Sequence, residues 1–334
     1  MRLSPTCDWL TVNQEHEPHE PFAVEWVERQ NLETGLITRH PAWRQVRHGK
    51  GGQFQIKSNG LRIEVSGNPS HWGVKHNVFG KQIEESMQIV NKMLCSQGLP
   101  QFTREPKSGT YGARISRIDI ACDVKTGGPA EKRAALCWHQ TQEYPRLKKS
   151  KYGTTTYFGK DSTSKTIKIY DKGEEYNAKN KDPDQELVEY CESNGVVRYE
   201  FTLLKAVNRA GIRHWGQLEA EAIAAIAAKE MQIVMPEEGI EAKKLEPDER
   251  LATLKQKTQL VYHAYFAGAD LREMFSESAW YRHRSDILEA TGVDIADDSR
   301  IVAMPMPKPV PIMMEPATKE DFESWLAEKR KKKA

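Results

Sequence analysis

Through the middle of the chain, apolar and polar residues alternate with the two-residue period of strands that bury one face. The clearest run is 115–124, in which Ile118, Ile120, Cys122 and Val124 oppose Arg117, Asp119 and Asp123. The same period predicts strands at 61–66, 154–159, 166–171 and 196–204. In the first, Leu61, Ile63 and Val65 face away from Arg62, Glu64 and Ser66. Ile167 and Ile169 oppose Lys168, Tyr170 and Lys172, while Val197, Tyr199, Phe201 and Leu203 oppose Arg198, Glu200 and Thr202. Helical spacing takes over elsewhere. Ile83, Met87, Val90 and Leu94 predict a helix over 81–97 stopped by Gly98, and Pro129 opens another over 129–144. Residues 174–193 read as one acidic helix. From residue 213 the pattern is helical, with helices at 218–234, 250–266 and 278–291 and terminators at Gly268 and Gly292. Residues 1–58 show no assignable period beyond the turn signal Gly49-Lys50-Gly51-Gly52.

This order predicts an α+β fold: an antiparallel sheet with helices on one face, followed by a small helical domain. Three units are expected, at 1–212, 213–300 and 301–334. The last begins as a linker, since 301–317 hold five prolines and four methionines. Thr318 and Asp321 then cap a short amphipathic helix on which Phe322, Trp325 and Leu326 share a face, and the chain closes on the basic run Lys329 to Lys333.

Composition narrows the class. With 38% hydrophobic and 29% charged residues, the chain reads as soluble, and no run approaches the roughly 18 apolar residues of a membrane span. No apolar signal-peptide core opens it, so the expected location is the cytoplasm. Five scattered cysteines without a CxxC pair point to neither a disulfide framework nor a zinc site. The net charge of +2 hides an asymmetry: residues 101–180 carry 16 Lys/Arg against 9 Asp/Glu, and residues 181–300 carry 15 against 23. The basic stretch is a candidate polyanion face, with Arg146, Lys148, Lys149, Lys151, Lys160 and Lys165 available for phosphates. A charge-mixed, solvated surface is the competing reading.

If the strands share one sheet, its polar front gathers Glu64, Asp119, Glu200, Tyr170 and Lys172, with Asp123 nearby. Carboxylates on one surface repel unless a cation lies among them, and such hard oxygen donors suit Mg²⁺ or Mn²⁺. Any antiparallel sheet with one wet face shows this alternation too, and a strand tyrosine is commonly half-buried packing.

Several segments in order resemble the replication initiators of filamentous phages, the gene II/X type. They are Ile63-Glu64-Val65, His76-Asn77-Val78-Phe79-Gly80, Ile115-Ser116-Arg117-Ile118-Asp119, Ile169-Tyr170-Asp171-Lys172 with Glu175, and Val197-Arg198-Tyr199-Glu200. The resemblance covers residues 60–210 and extends more faintly to about 295. It implies a nicking and joining nuclease over 1–212 that starts rolling-circle replication, with Tyr170 as nucleophile and Lys172 assisting. It maps metal ligands to Asp119 and Glu200, with Glu64, Asp123 and Glu175 in second rank. Attack by Tyr170 would leave a 5′-phosphotyrosine and a free 3′-hydroxyl, and the stored ester would later allow rejoining. The implied partners are single-stranded and supercoiled origin DNA, a host helicase and polymerase, and a second copy of the chain. No His-hydrophobic-His metal pair is present, so carboxylates would dominate the metal site. No tyrosine lies one helical turn from Tyr170, with Tyr176 six residues away, which favours a single-tyrosine mechanism. The helices at 250–266 and 278–291 are a candidate helix-turn-helix unit, with Tyr281, Arg282, His283 and Arg284 facing DNA. A non-catalytic DNA-binding regulator of replication or transcription, and a hydrolytic nuclease in which Tyr170 only packs, are the competing readings. A tyrosine recombinase is disfavoured because its ordered residue set is missing.

Overall fold

The computed structural model describes residues 3–22, 25–105, 112–144, 147–235, 240–243, 254–266, 271–291, 294–296, 309–312 and 314–333. The first elements are β1 (Thr6–Glu15), the hairpin β2 (Trp26–Gln30) and β3 (Ile37–Pro41), β4 (Arg44–Arg47), β5 (Gln53–Ser58), β6 (Arg62–Gly67) and α1 (Ile83–Ser96). They continue with β7 (Arg114–Lys125), α2 (Pro129–Thr141), β8 (Lys149–Tyr152), β9 (Thr155–Phe158), β10 (Lys165–Asp171), α3 (Lys172–Lys179), α4 (Gln185–Ser193) and β11 (Val196–Leu203). The rest are α5 (Ala206–Arg209), α6 (Ala220–Val234), β12 (Ile240–Lys243), α7 (Gln256–Phe266), α8 (Leu271–Met274), α9 (Glu277–Thr291), β13 (Pro309–Ile312), β14 (Glu315–Pro316) and α10 (Lys319–Lys333).

The fold is α+β, as the alternation implied. A ten-stranded sheet runs β4-β5-β6-β1-β7-β11-β10-β9-β8, with β14 on β7, and every neighbouring pair is antiparallel. Its apolar back includes Val12, Val65, Ile118, Ile120, Ile167, Ile169, Val197 and Phe201, all buried. These share one core with Met87, Val90 and Leu94 of α1 and Ile223, Ala227 and Met231 of α6. Complete burial of such side chains contributes about 1.5–3 kcal/mol each, which fixes the register: a one-residue slip would turn the polar front into the core.

Three expectations change. Leu61 lies before β6 and is exposed, because the strand starts at Arg62 and the turn at Asn59 holds the preceding residues. The helix expected over 174–193 is two helices: Pro183 interrupts it, and Asp184 caps α4 by accepting from the Glu186 and Leu187 amides. The stretch 1–58 supplies five strands, and β1 lies mid-sheet between β6 and β7.

The core around the sheet runs past residue 212 to take in Trp215, Leu218 and α6. A second, separate core joins α7, α8 and α9 through Val261, Tyr262, Tyr265, Leu271, Trp280, Ile287 and Ile295. Gly268, Gly292 and most of the expected Pro/Met linker lie outside the described residues. Beyond it, β14 pairs with the end of β7 that β1 leaves uncovered. The cap at Thr318 forms with Asp321, and Phe322 and Trp325 of α10 pack on Tyr190 of α4. Among the described residues, no helix is long and apolar enough to cross a membrane.

One core residue makes stability depend on pH. His139 of α2 is fully buried, its Nε2 stands 2.8 Å from the Tyr199 hydroxyl, and its Nδ1 has no hydrogen-bond partner. Burial lowers its pKa to about 3. An unfolded histidine takes up a proton near pH 6.5 whereas this one does not, so stability falls as pH drops from about 6.5 towards 3. Denaturant unfolding at pH 7 and pH 4.5 should therefore differ by about 2–3 kcal/mol that is absent in His139→Gln. Equal pH sensitivity of both proteins would refute this.

Candidate active site

The polar front is built from the strands around β11. Tyr170 of β10 pairs in register with Arg198 of β11, which pairs with Asp123 of β7. One step along, Lys168 pairs with Glu200, and a further step brings Thr202 to Asp119. Three strands thus deliver Asp119, Glu200 and Tyr170 to one patch, as their alternation required.

Arg198 organises its lower edge. The guanidinium is wholly buried and binds Asp123 with two 2.6 Å bonds, Nε to Oδ1 and Nη2 to Oδ2. Its Nη2 also donates to the Asn77 carbonyl at 2.7 Å, and Nη1 lies 3.3 Å from Asp8 Oδ1. Both oxygens of Asp123 are thereby engaged, and Asp123 serves as the anchor of the buried Arg198. Asn77 lies on the loop before α1; its amide nitrogen donates to Asp8 Oδ1 at 2.6 Å and its amide oxygen accepts from Lys172 Nζ at 2.8 Å.

Lys172 is the first residue of α3 rather than the end of the strand, because Asp171 caps the helix by accepting from the Glu174 amide. Its ammonium is buried and also donates to Glu175 Oε2 at 2.7 Å. Burial, with Arg198 nearby, lowers the Lys172 pKa. Burial works against the Glu175 charge, but Lys172 and Lys179 outweigh it and hold that carboxyl down to about 2. Glu175 is thus committed to two lysines.

Tyr170 is 2% exposed, and its hydroxyl donates to Glu200 Oε2 at 3.2 Å. Burial drives its pKa well above the ordinary phenol value. Lys168 Nζ lies 3.8 Å from the centre of the Tyr170 ring and 3.5 Å from Glu200, while Lys172 stands 5.8 Å from the ring. A carboxylate acceptor and two ammonium groups thus stand around a phenol whose proton burial holds in place.

The acids press on one another. Burial, followed by the charge of Asp8, raises the Glu200 pKa, and Asp119 adds to it. Burial also raises that of Asp119, against the pull of Arg117, whose Nε and Nη2 bind its two oxygens at 2.8 and 2.6 Å. Among the described residues, no three His, Cys, Asp or Glu side chains form a ready metal cage. Glu64 stands apart: it is on β6, two strands from β7 and four positions along, roughly 16 Å from Asp119 on strand spacings, and it pairs with Lys57 at 3.1 Å.

Asp8 was missed because it lies in the stretch 1–58 that shows no assignable period, and strict alternation from Leu10 and Val12 would have put it in the core. A bulge between Cys7 and Trp9 turns it to the front. The odd spacing of Cys7 to Leu10, both buried, is the sequence signal of that bulge.

The basic stretch divides. Lys148, Lys151 and Lys160 are exposed, whereas Lys149 donates to the Gln142 carbonyl at 2.8 Å and Lys165 to Glu230 at 2.7 Å; Arg146 lies outside the described residues. The expected DNA-reading face of α9 does not form as one face. Successive helical residues point about 100° apart, and His283 is buried with Nδ1 3.0 Å from Thr258 Oγ1. Arg284 is held by Asp294 through two 2.6 Å bonds, which leaves Tyr281 and Arg282 exposed.

Residues 7–221 match the family described as the N-terminal part of the replication-associated protein that is the product of phage gene II. The chain belongs to that family. The match spans β1 to the start of α6 and so contains every group of the front just described. Among relatives, the replication-associated protein of Enterobacteria phage I2-2 is 26% identical over 299 residues, 78% of this chain and 83% of that protein. The replication-associated protein of Escherichia phage If1 is 26% identical over 196 residues, 48% of this chain and 60% of its own length. Among solved structures, a rolling-circle replication initiator from Geobacillus stearothermophilus aligns over 77% of this chain and 91% of its own, at 16% identity and a TM-score of 0.34. Membership of the gene II family makes this a replication-associated protein of filamentous-phage type.

Proposed function

We propose that the protein starts rolling-circle replication by nicking one strand of origin DNA, with Tyr170 as the nucleophile. The observation that carries this reading is the Tyr170 hydroxyl donating to Glu200 on a polar sheet front, beneath Lys168 and beside Lys172. Attack on a phosphodiester moves the phenolic proton towards Glu200 as the Tyr170 oxygen bonds to phosphorus. The 3′ oxygen departs with a proton and is left as a free hydroxyl for a polymerase. The 5′-phosphotyrosine keeps a phosphoester of similar energy, so the reverse attack rejoins the strand without an external energy source. Lys168 and Lys172 would neutralise charge on the pentavalent phosphorus, as fixed cations do best in a site from which water is excluded.

Asp119 and Glu200, with Asp8 beside them, are the groups that would hold Mg²⁺ or Mn²⁺. Their donor chemistry fits: hard oxygens only, two of them pressed towards protonation by burial and mutual charge, with Arg117 and Lys168 supplying positive charge meanwhile. When bound, such an ion would polarise the scissile phosphate. Origin DNA is the proposed substrate, and a replicative helicase and polymerase are its proposed partners.

The test uses 3′-end-labelled single-stranded oligonucleotides tiled across the replicon that encodes the protein, incubated with Mg²⁺ and run on a denaturing gel. Label should migrate at protein mass, peptide mapping should locate it on Tyr170, and Tyr170→Phe should lower it at least ten-fold. Cleavage with no protein-linked label would make water the nucleophile. Binding without cleavage would make the protein a regulator.

A further inference from the structure

A second phenol shares the sheet front with Tyr170. Tyr157 of β9 pairs in register with Lys168 of β10, whose other cross-strand neighbour is Glu200. Alternation along β9 buries Thr156 and Phe158 in the back and turns Tyr157 forward, where it is partly exposed. Tyr157 and Tyr170 are therefore diagonal neighbours on one face, with Cα atoms roughly 7–8 Å apart. Their surroundings differ: Tyr170 is 2% exposed and capped by Lys168, whereas Tyr157 opens to solvent on the outer side of that lysine.

Cations ring the outer phenol. Lys160 is exposed, with its ammonium 5.5 Å from the Tyr157 ring centre. Lys179 reaches in from α3: burial works against its charge, but its bond to Glu175 raises its pKa, with Glu200 and Tyr157 contributing. Lys179 is thus within electrostatic reach of both the Tyr157 phenol and the Glu200 carboxylate. Tyr157 is thus the more solvent-open of the two phenols on this front.

We propose that Tyr157 is a second nucleophile, used when the displaced strand is rejoined. The proposal rests on the nicking reading above. After one round, DNA is held through its 5′-phosphate on Tyr170 while a regenerated origin junction arrives at the same front. Tyr157 Oη bonds to the junction phosphorus, and the bond from phosphorus to the 3′ oxygen breaks. The freed 3′-hydroxyl then attacks the Tyr170 phosphoester, closing the displaced circle and releasing the Tyr170 phenol. Each transfer exchanges one P–O bond for another and carries one proton from the attacking hydroxyl to the departing oxygen. No further reactant is needed. The protein ends the cycle linked through Tyr157 to the new 5′ end, ready for another round. Chain position alone hides this arrangement, because the two tyrosines are 13 residues apart and only the β9–β10 pairing brings them together.

The test uses the full-length protein, the 3′-labelled oligonucleotides that the wild type cleaves, and the variants Tyr157→Phe, Tyr170→Phe and the double variant. Tyr170→Phe should retain a small adduct, ten-fold or more below wild type, that peptide mapping locates on Tyr157 and that vanishes in the double variant. Tyr157→Phe should still form the Tyr170 adduct, while its yield of joined product from a second oligonucleotide falls at least ten-fold. A Tyr170→Phe protein with no adduct, or a Tyr157→Phe protein that joins as the wild type does, would overturn the proposal and leave nicking by Tyr170 standing. Absence of any adduct in the wild type would remove the nicking reading itself.

Discussion

Arg198→Met is expected to lower the free energy of unfolding by about 3–5 kcal/mol, the range for leaving one partner of a buried ion pair uncompensated. The substitution leaves Asp123, itself only 8% exposed, without the two guanidinium bonds that hold it. It also strips a donor from the Asn77 carbonyl and a cation from beside Asp8. Water cannot readily replace these contacts, because Arg198 is completely enclosed. A loss of this size corresponds to a fall of roughly 6–20 °C in Tm, read by thermal or denaturant unfolding. Combining Arg198→Met with Asp123→Leu should recover most of the loss, since replacing both members of a buried pair by apolar groups is often close to neutral. Nicking should not recover in that double variant, because Asn77 and Asp8 still lack their anchor. If Arg198→Met costs under about 1 kcal/mol, the buried pair is not what holds this edge of the site.

That edge shows what the sequence could and could not reveal. Alternation in 115–124, 166–171 and 196–204 placed Asp119, Tyr170, Arg198 and Glu200 on a common polar face, because strand period alone decides which residues point together. It did not say which strands are neighbours. The adjacency of β10, β11 and β7 turns a shared face into a 3.2 Å contact between Tyr170 and Glu200, and it is a property of long-range pairing. Asp8 escaped because a bulge breaks the period. Asn77 stands in a segment that carries the resemblance, but its role escaped because it acts from a loop, through both its side chain and its carbonyl, where no period exists to read. Tyr157 escaped although its strand is expected at 154–159, because only the pairing of β9 with β10 brings it beside Tyr170. On α9, four adjacent residues were assigned to one face of a helix, which the 3.6-residue turn does not allow.

Glu200→Gln is expected to separate function from stability. Glu200 is the hydrogen-bond acceptor of the Tyr170 hydroxyl and a member of the proposed cation site, so nicking should fall about 10²–10⁴-fold, the range for losing a positioned proton acceptor. Stability should move the other way. Burial and the charge of Asp8 raise the Glu200 pKa, so this carboxyl costs the folded state stability at neutral pH. That cost is absent below the unfolded value, grows as pH rises from the unfolded value to the folded one, and is constant above it. Glutamine keeps the shape and sheds the charge, and a gain of about 0.5–2 kcal/mol at pH 7 is the usual scale for relieving strain of this kind at a functional site. The gain should shrink towards zero as pH falls to about 4.5, where an unfolded glutamate loses its charge. Added Mg²⁺ or Mn²⁺ supplies a readout independent of cleavage. A bound ion at 100 times its dissociation constant would stabilise the wild type by about 2.7 kcal/mol, and Glu200→Gln should show little of that shift. An equal metal-dependent rise in Tm for both proteins would remove Glu200 from the cation site, and wild-type nicking by the variant would remove it from the chemistry.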